Sequence, residues 1–506
     1  MGIKSTAAKW LARRACQGRT PSAPQAIAQQ DACRKRLLKI GGRTHFGRDH
    51  RLPELPPHEL AAFQQAVPLR DYEGLRPWLD RVARGEADIC WPGKPIYLAK
   101  TSGTTSGAKY IPITKASIGH HIHFARQLLY TYIHHTGDAE WVNHRMLFLS
   151  GSPVLEDHHG IPTGRLSGIV NHHIPSYLQR NRLPSAATNC IEDWEEKVEA
   201  ILQECFQNRL GLISGIPPWV QMLFERITEL SGMSVSERFP ELRVYAHGGV
   251  NFAPYRRPLN ELLGPSRRVA FLESYPASEG FIAYQDSMEH DGLLLNTNAG
   301  MYFEFVPTDE LGSERPRRLD LRSVETGRQY ALALSSNAGL WGYILGDTVK
   351  FVSTDPFRLV VTGRTKHFTS AFGEHVIAEE VEESLAEVAA EMKLGVREFH
   401  VAPVIQPDEG LPHHQWLIEL EHEAGEALEA FAARLDQAMQ RRNPYYRELV
   451  QNGILAPLRL HPLPKGSFAA YMKSVGRLGG QNKPPRLANH RRMADPLLEI
   501  AQAHTG

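Results

Sequence analysis

The sequence predicts an α/β protein: a large N-terminal multi-sheet α/β domain followed by a smaller, mobile α+β domain. Three observations predict it. Short apolar strands alternate with amphipathic helices from about residue 95 to 362. Beyond Arg364 the pattern becomes an acidic helix, two strands and a helix. A chain of 506 residues, 42% apolar and 22% charged, can bury two such cores without disulfides or metals. The expected division is 1–362, a hinge at 363–366, and 367–506.

Residues 96–99, 146–149, 212–216, 242–246, 269–272 and 301–306 are short apolar runs with turn residues around them, and are predicted strands. Residues 122–135, 191–206 and 218–229 carry helical periodicity. The second has acidic residues in its first turn, where the helix dipole favours them, and the third opens on proline. In the C-terminal part, 378–392 and 426–441 are predicted helices, and 398–404 and 415–421 predicted strands. Gly363 gives the stretch Thr362-Gly-Arg-Thr-Lys366 the backbone freedom of a hinge.

Composition excludes several classes of function. With 57 Lys+Arg against 56 Asp+Glu, the chain has no general attraction for polyanions, so no nucleic-acid partner is expected. No apolar run approaches a membrane span of ~20 residues, and no membrane partner is expected. The five cysteines are scattered without a CxxC pair, as suits a reduced, cytoplasmic protein. Residues 1–20 are basic and amphipathic and are read as a first helix, against an organelle transit segment. A monomer is expected.

The chemistry concentrates in Tyr97-Leu-Ala-Lys-Thr-Ser-Gly-Thr-Thr-Ser-Gly-Ala-Lys109, where a strand runs into five hydroxyl residues and two glycines. Glycines let backbone N–H groups approach an anion closely, hydroxyls add donors, and Lys109 adds charge; together they suit a phosphate chain. The spacing is not that of a Walker A loop. In Glu273-Ser-Tyr-Pro-Ala-Ser-Glu279, expected to follow the strand at 269–272, a ring could stack on a base and a carboxylate could hold Mg²⁺. In Tyr343-Ile-Leu-Gly-Asp347, expected to precede a strand, an aspartate could accept both hydroxyls of a ribose. The competing readings are a polar turn, a core tyrosine and a Gly-Asp turn.

These three segments, in this order, resemble the adenylate-forming superfamily of acyl-CoA synthetases, adenylation domains and luciferases. Together with Arg43-Thr-His-Phe-Gly-Arg48, Phe63-Gln-Gln-Ala-Val-Pro-Leu-Arg-Asp-Tyr-Glu73 and Gly480-Gln-Asn-Lys-Pro-Pro-Arg486, they are most similar to the auxin-responsive Gretchen Hagen acyl acid amido synthetases. The resemblance implies that Ser102, Gly103, Thr104, Thr105 and Ser106 line ATP phosphates, that Gly248 and Gly249 edge the adenine slot beside Tyr275 and Ser278, that Glu279 lies by Mg²⁺, and that Asp347 grips ribose. Arg364 joins the nucleotide set. Pro276 replaces an alanine of the family pattern, fixing φ and removing one backbone N–H. The arginine before Gly346 is missing, and the hinge-proximal lysine of the plant enzymes aligns with His375 or Val376. Lys366, Lys473 and Lys483 are the remaining phosphate-contacting candidates, with Lys483 favoured by its motif. Arg126 is the candidate for the acyl carboxylate, against a solvated helix arginine.

The resemblance implies ATP- and Mg²⁺-dependent adenylation of a carboxylic acid, then transfer to an amine such as an amino acid. The alternatives are an acyl-CoA ligase, a nucleotide-binding relative without turnover, and a structural protein without a ligand. The apolar walls at 155–166 and 212–219 suit an aromatic or fatty acid. Histidines cluster at 120–123, 158–159 and 172–173, without zinc-site spacing.

Overall fold

In the computed structural model the strands of the larger part of the chain are β1 (Tyr97–Ser102), β2 (Ala108–Ile113), β3 (Arg145–Phe148), β4 (Glu156–His158), β5 (Ile161–Gly164), β6 (Arg182–Leu183), β7 (Leu210–Ser214), β8 (Val244–Gly248), β9 (Ala270–Ala277), β10 (Gly280–Tyr284), β11 (Leu293–Leu295), β12 (Met301–Pro307), β13 (Gln329–Ser336), β14 (Tyr343–Thr354) and β15 (Phe357–Arg364). All residues are described except 1, 18–19, 103–107, 175–178, 192, 250–251, 266–267, 312, 314, 365–367, 370–375, 406, 423–424, 426, 452, 454, 479–482, 489 and 506.

The chain divides into two units: Met1–Phe252 with Leu259–Val361, and Ala253–Pro258 with Thr362–Gly506. Among the described residues of the first, one sheet of eleven strands runs β12-β13-β14-β15-β11-β10-β9-β8-β7-β3-β6. Its β6-β3-β7-β8-β9 half is parallel, and in its other half β9-β10-β11-β15 and β12-β13-β14 pair antiparallel. A second sheet runs β2-β1-β5-β4.

Helices cover these sheets where their apolar stripes find partners. The helix Lys115–Thr136 packs on β9 and β10, and the helix Ile3–Cys16 packs on its back. Thr114 caps it, accepting from Ser117 N–H, and Gly137 at φ +67° ends it, so it starts seven residues before the expected 122. Asp193 caps Trp194–Phe206 by accepting from Glu196 N–H at 2.8 Å. The helix Pro217–Ser231 opens on proline.

In the second unit, the helices Ala378–Met392 and Ala427–Arg442 pack together. Beside them lie a short pair, β16 (Phe368–Thr369) and β17 (Val376–Ile377), and a sheet β18-β19-β20 formed by Val396–Val404, His413–Leu420 and Arg459–Leu463. Trp416, Phe399, Phe431 and Leu435 fill its core, and Arg441 and Arg442 both reach Glu387 across the helix pair.

Candidate active site

In open α/β sheets ligands gather beyond the carboxyl ends of the parallel strands. β8 ends there at Gly248-Gly249. A Cβ on Gly248 would lie 2.3 Å from the Ser274 carbonyl oxygen, and Gly249 has φ +81°, so neither position takes a side chain without strain. Gly248 pairs with Ser274 on β9, whose hydroxyl donates to the His247 carbonyl at 2.9 Å.

The segment Glu273 to Glu279 does not follow a strand, as the sequence suggested. It is the second half of β9 itself plus a turn. Ala277 pairs with Gly280, so Ser278 and Glu279 are the two residues of a tight connection to β10, both half-buried. Pro276 fits this strand because it lies past the last β8 pairing and beside the register shift between Phe281 and Ala283, where a sheet tolerates a missing N–H.

The segment Tyr343 to Asp347 likewise opens β14 rather than preceding a strand. Ala331 pairs with Thr348 and Ala333 with Ile344, so Leu345, Gly346 and Asp347 bulge opposite Leu332. Gly346, at φ +95°, makes the bulge possible. It turns the buried Asp347 toward β9, and Tyr275 Oη donates to Asp347 Oδ2 at 2.5 Å. Strands β10, β11 and β15 stand between β9 and β14 in the sheet order, so this bond gathers two distant segments.

The hydroxyl-rich loop is the turn of the β1–β2 hairpin, with Ser102 opposite Ala108. Gly103, Thr104, Thr105 and Ser106 lie outside the described residues, and of Ser102 only the backbone position is described. Lys109 pairs with Thr101 across the hairpin and holds its ammonium 5.6 Å from the Tyr72 ring centroid.

The sequence marks the motif at 63–73 but not its role. The structure shows a bracket. Tyr72 Oη accepts from Tyr110 N–H at 2.9 Å, fixing the outgoing stem of the loop. Arg70 N–H donates to Gly342 O at 2.9 Å, and Ile344 N–H donates to Arg70 O at 2.8 Å, fixing the start of β14. Arg318 holds the other end of the segment. It donates to Gln64 O and Val67 O at 2.8 and 2.6 Å, and it pairs with the fully buried Glu304 of β12 at 2.5 Å. In the motif at 43–48, Phe46 stacks on Trp341, with centroids 5.6 Å apart, two residues before β14. Trp341 Nε1–H donates to Cys90 O at 3.0 Å.

Other expected residues are not gathered here by the described contacts. Arg126 is exposed on Lys115–Thr136 with its guanidinium 5.9 Å from the Tyr130 ring. Arg364 is the last residue of β15. Lys366 and His375 lie outside the described residues. In the second unit Lys473 is exposed and Lys483 half-buried. Three residues past Lys483, Arg486 is held by Glu382 at 3.4 Å and Glu398 at 3.3 Å and donates to Tyr255 Oη at 2.7 Å. Among the described residues no three His, Cys, Asp or Glu side chains gather as a metal site. His158 stacks on Tyr110 and His173 meets the Tyr97 ring edge-on, so these histidines pack as rings.

The fold that carries the parallel half-sheet, its glycine edge and the Tyr275–Asp347 pair is shared with solved ligases. A solved 2-hydroxyisobutyryl-CoA ligase in complex with 2-HIB-AMP superposes with a TM-score of 0.64 over 96% of this chain and 93% of its own, at 14% identity. The acyl acid amido synthetase AtGH3.15 in complex with 2,4-DB superposes with a TM-score of 0.77 over 99% and 96%, at 16% identity. The chain belongs to the GH3 family: the family's N-terminal domain matches residues 22–181, its central domain 294–364 and its C-terminal domain 379–492. Similar relatives include the jasmonoyl–L-amino acid synthetase JAR4 of Nicotiana attenuata, 22% identical over 57% of this chain and 60% of that protein. The indole-3-acetic acid-amido synthetase GH3.3 of Arabidopsis thaliana is 26% identical over 39% of this chain and 34% of its own length. The chain therefore spans about 60% or less of the length of these curated relatives.

Proposed function

We propose that the protein is an ATP-dependent acyl acid amido synthetase. A carboxylate oxygen attacks the α-phosphorus of ATP, the bond to pyrophosphate breaks, and an acyl-adenylate forms. An amine, of an amino acid by analogy with the relatives' names, then attacks the acyl carbon, AMP leaves with the electrons of the acyl carbon–phosphate oxygen bond, and the nitrogen loses a proton. The observation that carries this reading is the buried Tyr275–Asp347 contact in a chain of this family. It unites the residues proposed for adenine and ribose beside the glycine edge of β8.

AMP is a good leaving group, so the protein's task is to place the reactants and to neutralise charge on the α-phosphate. Backbone and hydroxyl donors of Ser102, Gly103, Thr104, Thr105 and Ser106 serve the phosphates, Asp347 orients the ribose, and Gly248 and Gly249 leave room for the base beside Tyr275 and Ser278. Arg364 and Lys483 add positive charge to the nucleotide side, and Arg126 is proposed for the acid's carboxylate. One carboxylate, Glu279, together with phosphate oxygens suits Mg²⁺, which keeps part of its water shell and uses few protein ligands. When bound there it would offset phosphate charge. ATP and Mg²⁺ need no preformed protein cage of carboxylates for this.

A panel of carboxylic acids scored by ATP–pyrophosphate exchange, followed by amino acids and CoA offered to the best acid, tests the reading. Acid-dependent exchange and an amide with stoichiometric AMP are expected. Thioester formation without amide would assign an acyl-CoA ligase. ATP binding with no acid-dependent AMP would leave a nucleotide-binding relative.

A further inference from the structure

The first thirty residues carry Lys4, Lys9, Arg13, Arg14 and Arg19 and no Asp or Glu. The remaining residues carry 52 Lys+Arg against 56 Asp+Glu, a net of −4, so the cationic charge of this end stands against an otherwise slightly acidic chain. Residues Ile3–Cys16 form a helix. At 3.6 residues per turn, Lys4, Ala7, Trp10, Leu11 and Arg14 fall within about 120° of its circumference, and all five are exposed. Ser5 and Ala12 lie on the opposite side and are fully buried against the rest of the unit. The helix is therefore anchored by one face, and the other presents Trp10, 59% exposed, and Leu11, 41% exposed, between basic residues. Arg14 lies over the Trp10 ring at 5.7 Å, leaving the guanidinium and the indole on one surface. The acidic Glu140 is near the other end of the helix, beside Gly2, where Asn143 donates to it at 3.1 Å.

We propose that this outer face is a docking surface for anionic lipid bilayers. The charge pattern selects the occupant: basic side chains attract anionic headgroups, and an exposed Trp-Leu pair gains by entering the interfacial layer, where tryptophan is favoured. A helix held by its inner face can only lie flat on a membrane, so the contact is peripheral and weak. This departs from the sequence expectation of no membrane partner, which rested on the lack of a spanning segment; no helix among the described residues is long and apolar enough to cross a membrane. The inference does not depend on the proposed ligase activity.

The test is cosedimentation of the full chain with vesicles of phosphatidylglycerol and phosphatidylcholine, or of phosphatidylcholine alone. Binding to the anionic vesicles is expected to exceed binding to neutral ones at least tenfold at low salt and to fall about tenfold in 0.5 M salt, where the screening length drops below a helix diameter. The double variant Lys4→Glu, Arg14→Glu is expected to abolish binding, and Trp10→Ser to reduce it at least fivefold, with far-UV circular dichroism and melting midpoint unchanged in both. Binding unaltered by both variants, or equal on neutral vesicles, would overturn the proposal. So would failure to bind any vesicle combined with Trp10-dependent self-association, which would assign the face to a second copy. Equal competition by heparin and by anionic vesicles for the Trp10→Ser variant would show charge attraction alone and also overturn it.

Discussion

Asp347 carries the sharpest residue-level consequence. Its carboxylate is buried, aimed by a bulge, and already accepts from Tyr275. A hydrogen bond to a charged group is worth roughly 1.5–3 kcal/mol, or about 10–100-fold in affinity. Asp347→Ala is expected to raise the ATP concentration needed for half-maximal pyrophosphate exchange by that factor, with a smaller effect on saturation by the acid. Normal ATP saturation in the variant would remove Asp347 from the nucleotide site. Glu279→Ala should instead shift the Mg²⁺ requirement, and unchanged Mg²⁺ dependence would refute its role. Tyr275, Glu279 and Asp347 stand out in the sequence through local signatures, an aromatic beside a carboxylate and a Gly-Asp step, whereas Gly248 and Gly249 enter through the family resemblance. The bracket was not. Arg70 meets Gly342 and Ile344, and Arg318 meets Gln64 and Val67, through backbone atoms whose partners lie hundreds of positions away. No spacing rule marks such a contact.

Elements were legible where a run carries its own period. The helices at 378–392 and 218–229 and the strands at 146–149 and 301–306 correspond to observed elements within about three residues of the expected bounds. Strand β13 escaped notice because Gln329-Tyr-Ala-Leu-Ala-Leu-Ser-Ser336 is rich in good helix formers, and pairing with β12 and β14 overrides that preference. The opening of strand β14 hid behind Gly346-Asp347, which reads as a turn before a strand and is a bulge within one. Two predictions belong at this scale. Glu304 is fully buried and its charge is met by Arg318. Arg318→Ala leaves that buried charge without a cation, held by the Gln64 amide at 3.0 Å, and releases the Gln64 and Val67 carbonyls, so a loss of about 3 kcal/mol is expected in denaturant unfolding; a loss under about 1 kcal/mol would show that the bracket does not depend on the pair. On Lys115–Thr136, burial pushes His121 down to about 4. Between pH 6.5 and about 4 the unfolded chain takes up a proton here and the folded chain does not, so stability falls as pH falls through that window. The contribution at pH 5, relative to pH 7.5, is about 2 kcal/mol. His121→Gln should lose about that much less on acidification, and parallel pH profiles of parent and variant would exclude the effect.

At the scale of the whole molecule, the proposed adenylation and amide formation would make opposite demands on one nucleotide site. The first needs charge against three phosphates; the second needs pyrophosphate gone and an amine admitted while water stays out. We propose that rearrangement about residues 363–366 separates these demands. Gly363 has the backbone freedom this requires: its φ of +154° is one that a residue with a Cβ adopts only under strain and that proline cannot adopt at all. Gly363→Pro therefore excludes the backbone state described here. Its two half-reactions can be measured apart, adenylation by pyrophosphate exchange and transfer by single-turnover amide formation from synthetic acyl-adenylate. The rates are expected to fall unequally, by at least a factor of ten between them. Lys483→Ala is expected to slow exchange while sparing transfer, because the charge it is proposed to neutralise is present only in the first step. If Gly363→Pro preserves the ratio of the two rates, the segment is a passive linker, and the order of events must be set within the larger unit alone.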